Sequence, residues 1–204
     1  MLNKFQKEFL INVCEVCVKN KIGFLLSNRK LVKLSNEDDS NKSRGFFDEE
    51  SRTLAVGMKN PLKEWFGILV HEFNHLNQFL EKKFCSKKYV DSSINFWEWL
   101  NNKKELSNKK AKITINLIRE FELDCEKRSY KMIKEMNLGI NPEDYIKKAN
   151  AYMYFYTMVF ELRKWYKKPP YEKALVRLMP TEFLDLEEYF NVPDSIRKEL
   201  IKCF

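Results

Sequence analysis

Apolar residues in the first part of the chain change their spacing at about residue 20, where helix-like periodicity gives way to short strand-like runs. Residues 1–20 carry apolar side chains at helical spacing and predict an amphipathic helix. Four short apolar runs follow, bounded by polar turn residues: Ile22–Leu26, Leu31–Leu34, Phe46-Phe47 and Thr53–Val56. The polar segment Asn36–Arg44 predicts an exposed loop between them. These runs predict a small antiparallel sheet.

From residue 60 the apolar positions keep helical spacing almost to the end of the chain. Asn60 and Pro61 predict the N-cap and first position of a helix of about 20 residues that ends near Lys82. Further helices are predicted at Ser93–Lys103, Asn108–Met136, Pro142–Tyr166, Tyr171–Leu178, Glu182–Phe190 and Asp194–Lys202. The pattern therefore predicts an α+β fold that is mostly helical, with the sheet before the helix at residue 60. A chain of 204 residues that is 44% hydrophobic is expected to form one domain, residues 1–204.

The helix predicted after Pro61 contains the sequence His71-Glu72-Phe73-Asn74-His75, and these are the two histidines of the chain. Residues i and i+4 of a helix lie on one face, so both imidazoles can bind one tetrahedral metal ion. Glu72 lies about 100° round the helix from His71, close enough to act on a metal-bound water without binding the metal itself. This H-E-x-x-H motif predicts a zinc hydrolase site, with Zn²⁺ held by His71 and His75 and Glu72 as general base.

A third protein ligand is needed, and without a further histidine it must be a carboxylate or a thiolate. The candidates lie in the segment Arg119–Glu126 of a predicted helix. Glu120 and Asp124 border one side of the apolar stripe of this helix, and Glu122 and Glu126 border the other. Periodicity does not choose between the two pairs, and Cys125 on the stripe is a further candidate. The same acidic residues, alternating with Arg119, Lys127 and Arg128, are also typical of a solvated, salt-bridged face.

The sequence Arg119-Glu120-Phe121-Glu122-Leu123-Asp124 resembles the downstream signature of the gluzincins, a zinc-peptidase group, with Leu123 where alanine is usual. The resemblance covers about 12 residues in two patches and implies a zincin-like fold. It implies Glu120 as the third zinc ligand and Asp124 as the residue that orients His71. It also implies that the chain is a zinc metallopeptidase acting on a protein or peptide substrate.

Peptide hydrolysis benefits from a hydrogen-bond donor that faces the developing oxyanion. Tyr145, Tyr152, Tyr156 and Arg163 follow one stripe of the helix predicted from Pro142, a pattern that is more often core. If the stripe faces the cleft, Tyr156 is the expected donor, Tyr152 the second choice and Arg163 an anchor for a substrate carboxylate. An edge strand is expected to hold an extended substrate, and Thr53–Gly57 is the predicted strand because it leads into the active helix.

The net charge of +8 comes partly from basic clusters near aromatic residues. These are Lys82, Lys83, Lys87 and Lys88; Lys103, Lys104, Lys109, Lys110 and Lys112; and Arg163, Lys164, Lys167 and Lys168. Solvated faces are the favoured interpretation, and nucleic-acid binding is the alternative. Two other functions thus stay open: a zincin-like binding protein without turnover, and a nucleic-acid-associated protease.

Five cysteines at scattered positions do not indicate a disulfide framework, and Cys14 and Cys17 are expected to be structural thiols. The sequence has no apolar run long enough to span a membrane and no signal-peptide pattern at its start. A cytoplasmic location without membrane contact is therefore expected.

Overall fold

The computed structural model of the chain describes residues 1–33 and 42–204, so most of the predicted loop Asn36–Arg44 lies outside the described residues. The fold is mostly helical with a small sheet, which confirms the α+β prediction. The helices are α1 (Lys4–Asn20), α2 (Leu62–Leu80), α3 (Lys87–Leu100), α4 (Asn108–Glu135), α5 (Pro142–Leu162), α6 (Lys173–Arg177) and α7 (Asp194–Ile201). The strands are β1 (Gly23–Ser27), β2 (Val32–Lys33), β3 (Lys42–Ser43), β4 (Gly45–Asp48) and β5 (Thr53–Gly57).

The described chain divides into two compact units. The first contains residues 1–83 and 128–141, and the second contains residues 84–127 and 142–204. Helix α4 is continuous and contributes residues to both. None of the described helices is long and apolar enough to cross a membrane.

The sheet of the first unit is mixed rather than antiparallel, and its order is β1-β5-β4. Strand β1 pairs parallel with β5, whereas β4 and β5 form the predicted antiparallel hairpin. Strand β5 is therefore central, and the prediction that Thr53–Gly57 is an edge strand is wrong. Leu54, Ala55 and Val56 of β5 are fully buried, as expected for a strand covered on both sides. The edge strand beside α2 is β4.

Helix α2 packs against this sheet and against α1 through aromatic side chains. The ring of Phe9 in α1 contacts the rings of Phe66 and Phe73 in α2, with centroid distances of 5.6 and 5.5 Å. The predicted start of α2 is wrong by one residue, because Pro61 is the N-cap. Asn60 instead donates hydrogen bonds to the carbonyl oxygens of Lys30 and Gly57, which fixes the turn that leads into the helix.

The second unit has its core between α3, α4, α5 and the C-terminal segments. Helix α3 begins six residues before the predicted Ser93, and most of the predicted helix Glu182–Phe190 is irregular, with a 3-10 turn at Glu188–Phe190. Arg119 is fully buried and donates to Thr157 of α5 at 2.9 Å and to Asn116 of its own helix at 2.6 Å. Burial lowers the pKa of Arg119 to about 10. The interpretation of Arg119 as part of a solvated face is therefore wrong.

Candidate metal centre

The two histidines face each other on one side of α2. The Nε2 atoms of His71 and His75 lie 3.1 Å apart, and the two rings are nearly perpendicular, with an interplanar angle of 88°. Both side chains are half-buried. The i, i+4 spacing that predicted a shared face therefore brings the same nitrogen of each ring to one point.

This separation fits a tetrahedral zinc ion. With zinc–nitrogen bonds of about 2.05 Å and a tetrahedral angle, two ligand nitrogens stand about 3.3 Å apart. The 3.1 Å between the Nε2 atoms is within a few tenths of an ångström of that value. Imidazole nitrogens are also among the donors that zinc prefers, so the pair suits the ion in geometry and in chemistry.

Glu72 lies beside the histidines and is held by the edge strand. The Phe47 backbone N–H donates to Glu72 Oε2 at 3.0 Å. The backbone N–H of Gly57 in β5 donates to the carbonyl oxygen of Arg44 at 2.9 Å. In an antiparallel pair, Arg44 and every second residue after it therefore turn their backbone N–H and C=O groups toward β5. Gly45 and Phe47 therefore turn their backbone groups to the outer side of β4. The catalytic carboxylate predicted from the motif is thus anchored by an outward N–H of this strand.

Gln78 contacts the second histidine, and sequence reasoning missed it. Its Oε1 lies 2.9 Å from Nδ1 of His75, and its side chain is 1% exposed. Gln78 follows His75 by three residues, so the two side chains are neighbours on the helix surface. A polar residue at this spacing, on the buried side of an otherwise apolar helix, is the signal that identifies it.

A contact between α2 and α4 determines which face of α4 lies against α2. Asn74 donates to Ser129 Oγ at 3.1 Å. Cys125 lies one turn before Ser129 and Glu122 two turns before, so both share the face of Ser129. Glu120 is nine residues from Ser129, which at 100° per residue places it on the opposite face.

The donor atoms agree with this helical geometry. One ligand atom from each of His71, His75 and Cys125 lies within 4.8 Å of the others, and among the described residues this is the group able to hold a metal ion. Glu120 is not a member of that group. The side chain of Glu120 is exposed and accepts a hydrogen bond from Tyr89, whose pKa rises to about 12 through burial and this contact. The third-ligand role of Glu120 and the orienting role of half-buried Asp124 stay predictions of the resemblance.

Of the predicted stripe, Tyr156 is core and Tyr145 and Tyr152 are half-buried, whereas Arg163 lies just beyond the end of α5. Tyr156 is 3% exposed and packs against the rings of Phe96 and Tyr152. Burial, and next the charge of Glu122, hold the pKa of Tyr156 well above its usual value, so its hydroxyl stays protonated. Arg163 is engaged by the carboxylate of Glu105 at 2.9 Å and by the carbonyl of Trp99 at 2.8 Å. The role of Tyr156 as oxyanion donor stays a prediction.

Several basic residues that suggested nucleic-acid binding form surface ion pairs. Arg163 pairs with Glu105, Lys104 with Glu98 and Lys87 with Asp91. None of the five cysteines, all of which the structure describes, forms a disulfide bond. Burial raises the pKa of Cys17 to about 11, with the nearby Cys14 as the second cause. A thiol with a raised pKa is a poor nucleophile at neutral pH, in keeping with a structural role.

Comparison with known proteins adds no family assignment. No protein-family model matches the chain, and no curated protein or solved structure matches it either. The function of the chain is therefore inferred from the residues of the site itself.

Proposed function

We propose that the chain is a zinc-dependent peptidase in which His71 and His75 bind the metal and Glu72 is the general base. The observation that carries this proposal is the 3.1 Å separation of the two Nε2 atoms on the helix that also presents Glu72. Both histidines of this 204-residue chain take part in the arrangement, which is not expected of two histidines that lie on a helix by chance. The resemblance of the motif to the zinc peptidases supports the reaction class.

Cys125 is the third protein ligand in this proposal, because its sulfur is the remaining member of the donor group. Glu122, on the same face of α4, is the alternative, and Glu120 is the ligand that the resemblance implies. A zinc ion held by these three side chains would keep a fourth position open, and it would supply Lewis-acid chemistry there by polarising the scissile carbonyl and lowering the pKa of water.

Glu72 takes a proton from the attacking water and returns it to the leaving amine. Its Oε2 is engaged by the Phe47 N–H, so Oε1 is the oxygen that takes the proton in this mechanism. Because Phe47 belongs to an edge strand, one hydrogen bond fixes the base relative to the strand that would hold the substrate. Because Glu72 occupies the Phe47 N–H and Ser43 Oγ donates to the Gly45 carbonyl, the Gly45 N–H and the Phe47 carbonyl are the outward groups of β4 that would pair with an extended peptide.

The test compares four forms of the full chain: wild type, His71→Ala, Glu72→Gln and Glu64→Gln. Glu64 is the matched control, since it is an exposed carboxylate in the first turn of the same helix. We expect wild type to bind about one zinc and to cleave members of a peptide library. His71→Ala should lose both properties, Glu72→Gln should keep zinc and lose cleavage, and Glu64→Gln should keep both.

Each outcome has one meaning. Wild-type protein that binds no zinc under non-chelating conditions contradicts the metal site. Zinc binding with no cleavage in wild type identifies a zincin-like binding protein, and loss of zinc in Glu72→Gln contradicts the role of Glu72 as a base outside the ligand set.

A further inference from the structure

The contact between Gln78 and His75 determines which ring nitrogen of His75 carries hydrogen. The two atoms are Gln78 Oε1 and His75 Nδ1, 2.9 Å apart. An amide oxygen can only accept, so Nδ1 is the donor in this contact. A neutral imidazole has one N–H, and Nε2 of His75 therefore keeps its lone pair, which is the form that binds a metal.

This assignment extends to His71 through the contact between the rings. The Nε2 atoms lie 3.1 Å apart, within hydrogen-bond distance. Because Nε2 of His75 is an acceptor, the hydrogen between the rings belongs to Nε2 of His71. In the metal-free protein, the two histidines are then opposite tautomers. Metal binding would require His71 to give up its Nε2 proton to water and to take up a proton from water at Nδ1, so that the ring stays neutral, whereas His75 would bind without any change of tautomer.

We propose that Gln78 is a positioning residue that fixes the tautomer and ring orientation of His75. This role rests on the proposed function, since His75 needs a set tautomer only as a metal ligand. The burial of Gln78, which is 1% exposed, keeps the contact away from competing water. A partner that accepts the N–H of the non-ligating ring nitrogen of a histidine typically contributes about 10- to 100-fold in metal affinity.

The experiment uses the full chain with three substitutions. Gln78→Leu removes the acceptor, Gln78→Glu keeps an acceptor of the same length, and Asn77→Leu is the control. Asn77 is an amide on the same helix whose recorded contact is with Asn74, at 3.4 Å. Zinc affinity is measured by competition with a chelator. Nitrogen-15 spectra of the metal-free protein report the tautomers, and the two histidines of the chain make them simple to assign.

We expect Gln78→Leu to weaken zinc binding about 10- to 100-fold and to lose the Nδ1–H tautomer of His75. Gln78→Glu should bind zinc at least as tightly as wild type, because a carboxylate accepts the same hydrogen more strongly. Asn77→Leu should leave zinc affinity and both tautomers unchanged.

Two results would overturn the proposal. One is a Gln78→Leu protein with a lowered melting temperature but unchanged zinc affinity and His75 tautomer, which is the behaviour of a purely structural residue. The other is a Gln78→Glu protein that binds zinc more than tenfold more weakly than wild type does. If Gln78→Leu does not fold, Gln78→Glu alone tests the proposal. Wild-type protein without zinc affinity contradicts the metal site instead, and the metal-free spectra still test the tautomer of His75.

Discussion

Gly45 of β4 allows the edge strand to approach α2, and Gly45→Ala tests that approach. A Cβ atom at this position would lie 2.5 Å from Cγ2 of Ile68 in α2 and 3.1 Å from the carbonyl oxygen of Ala55. Carbon atoms in contact prefer about 3.5–4.0 Å, so strand and helix must separate by about 1 Å. Isoleucine is stiff at χ1, so its Cγ2 methyl cannot simply swing away.

The expected cost follows from two opposing contributions. Inserting a methyl group into a packed contact typically costs about 1–3 kcal/mol. Replacing glycine by alanine restricts the unfolded chain and stabilises by about 0.4–1 kcal/mol. We therefore expect a net loss of about 1–2 kcal/mol, which lowers the melting temperature of a chain of this size by about 2–8 °C.

Gly23→Ala is the matched control, because Gly23 is also in an edge strand of the same sheet. A Cβ atom there meets Thr53 Oγ1 at 3.6 Å and the carbonyl oxygen of Arg52 at 3.7 Å, which are ordinary contacts. Thermal unfolding followed by circular dichroism should show Gly23→Ala at or above the wild-type melting temperature. A double-mutant cycle with Ile68→Ala should give a favourable coupling of about 1 kcal/mol, since Ile68→Ala removes the clashing methyl.

Gly45→Ala should also reduce peptide cleavage more than its stability loss accounts for, because β4 carries the Phe47 N–H that holds Glu72. Equal melting temperatures for Gly45→Ala and Gly23→Ala, or zero coupling with Ile68, would refute the close contact between β4 and α2.

Three further predictions concern the site and the thiols. Cys125→Ala should weaken zinc binding in a chelator competition more than Glu120→Ala does, because Glu120 is exposed and accepts a hydrogen bond from Tyr89. The reverse order would indicate that Glu120 is the third ligand, as the resemblance implies. Tyr156→Phe should lower kcat about 10- to 1,000-fold with zinc content unchanged if its hydroxyl faces the oxyanion, and a fully active variant would assign it to the core alone. Reducing agent should leave folding and activity unchanged, and at pH 8 iodoacetamide should label exposed Cys14 far faster than Cys17, whose pKa burial raises to about 11; equal labelling rates would contradict the burial of Cys17.

The period of the apolar residues was sufficient to predict the helices that carry the site. Helix α2 and the shared face of His71 and His75 follow from spacing within one segment, because a helix repeats every 3.6 residues wherever it lies in the fold. The long helix α4 was predicted to within one residue at its C-terminal end, for the same reason.

Strand order and strand direction could not be predicted from the sequence. Strand β5 has an apolar run that suits an edge or a centre, and its place between β1 and β4 depends on pairing with residues that are distant along the chain. The parallel pairing of β1 with β5 likewise depends on contacts between two segments that are distant along the chain, which no local pattern specifies.

The third metal ligand shows the same limit at the level of side chains. Glu120 and Glu122 flank the apolar stripe of α4 symmetrically, so the sequence left both open, and the contact of Asn74 with Ser129 determines the face that meets α2. The full burial of Arg119 was missed because its partner Thr157 lies 38 residues away. The sequence by itself determined which residues share a helix face, since that depends on local geometry. Only the tertiary structure decided what each face meets, since that depends on packing between segments that are far apart in the chain.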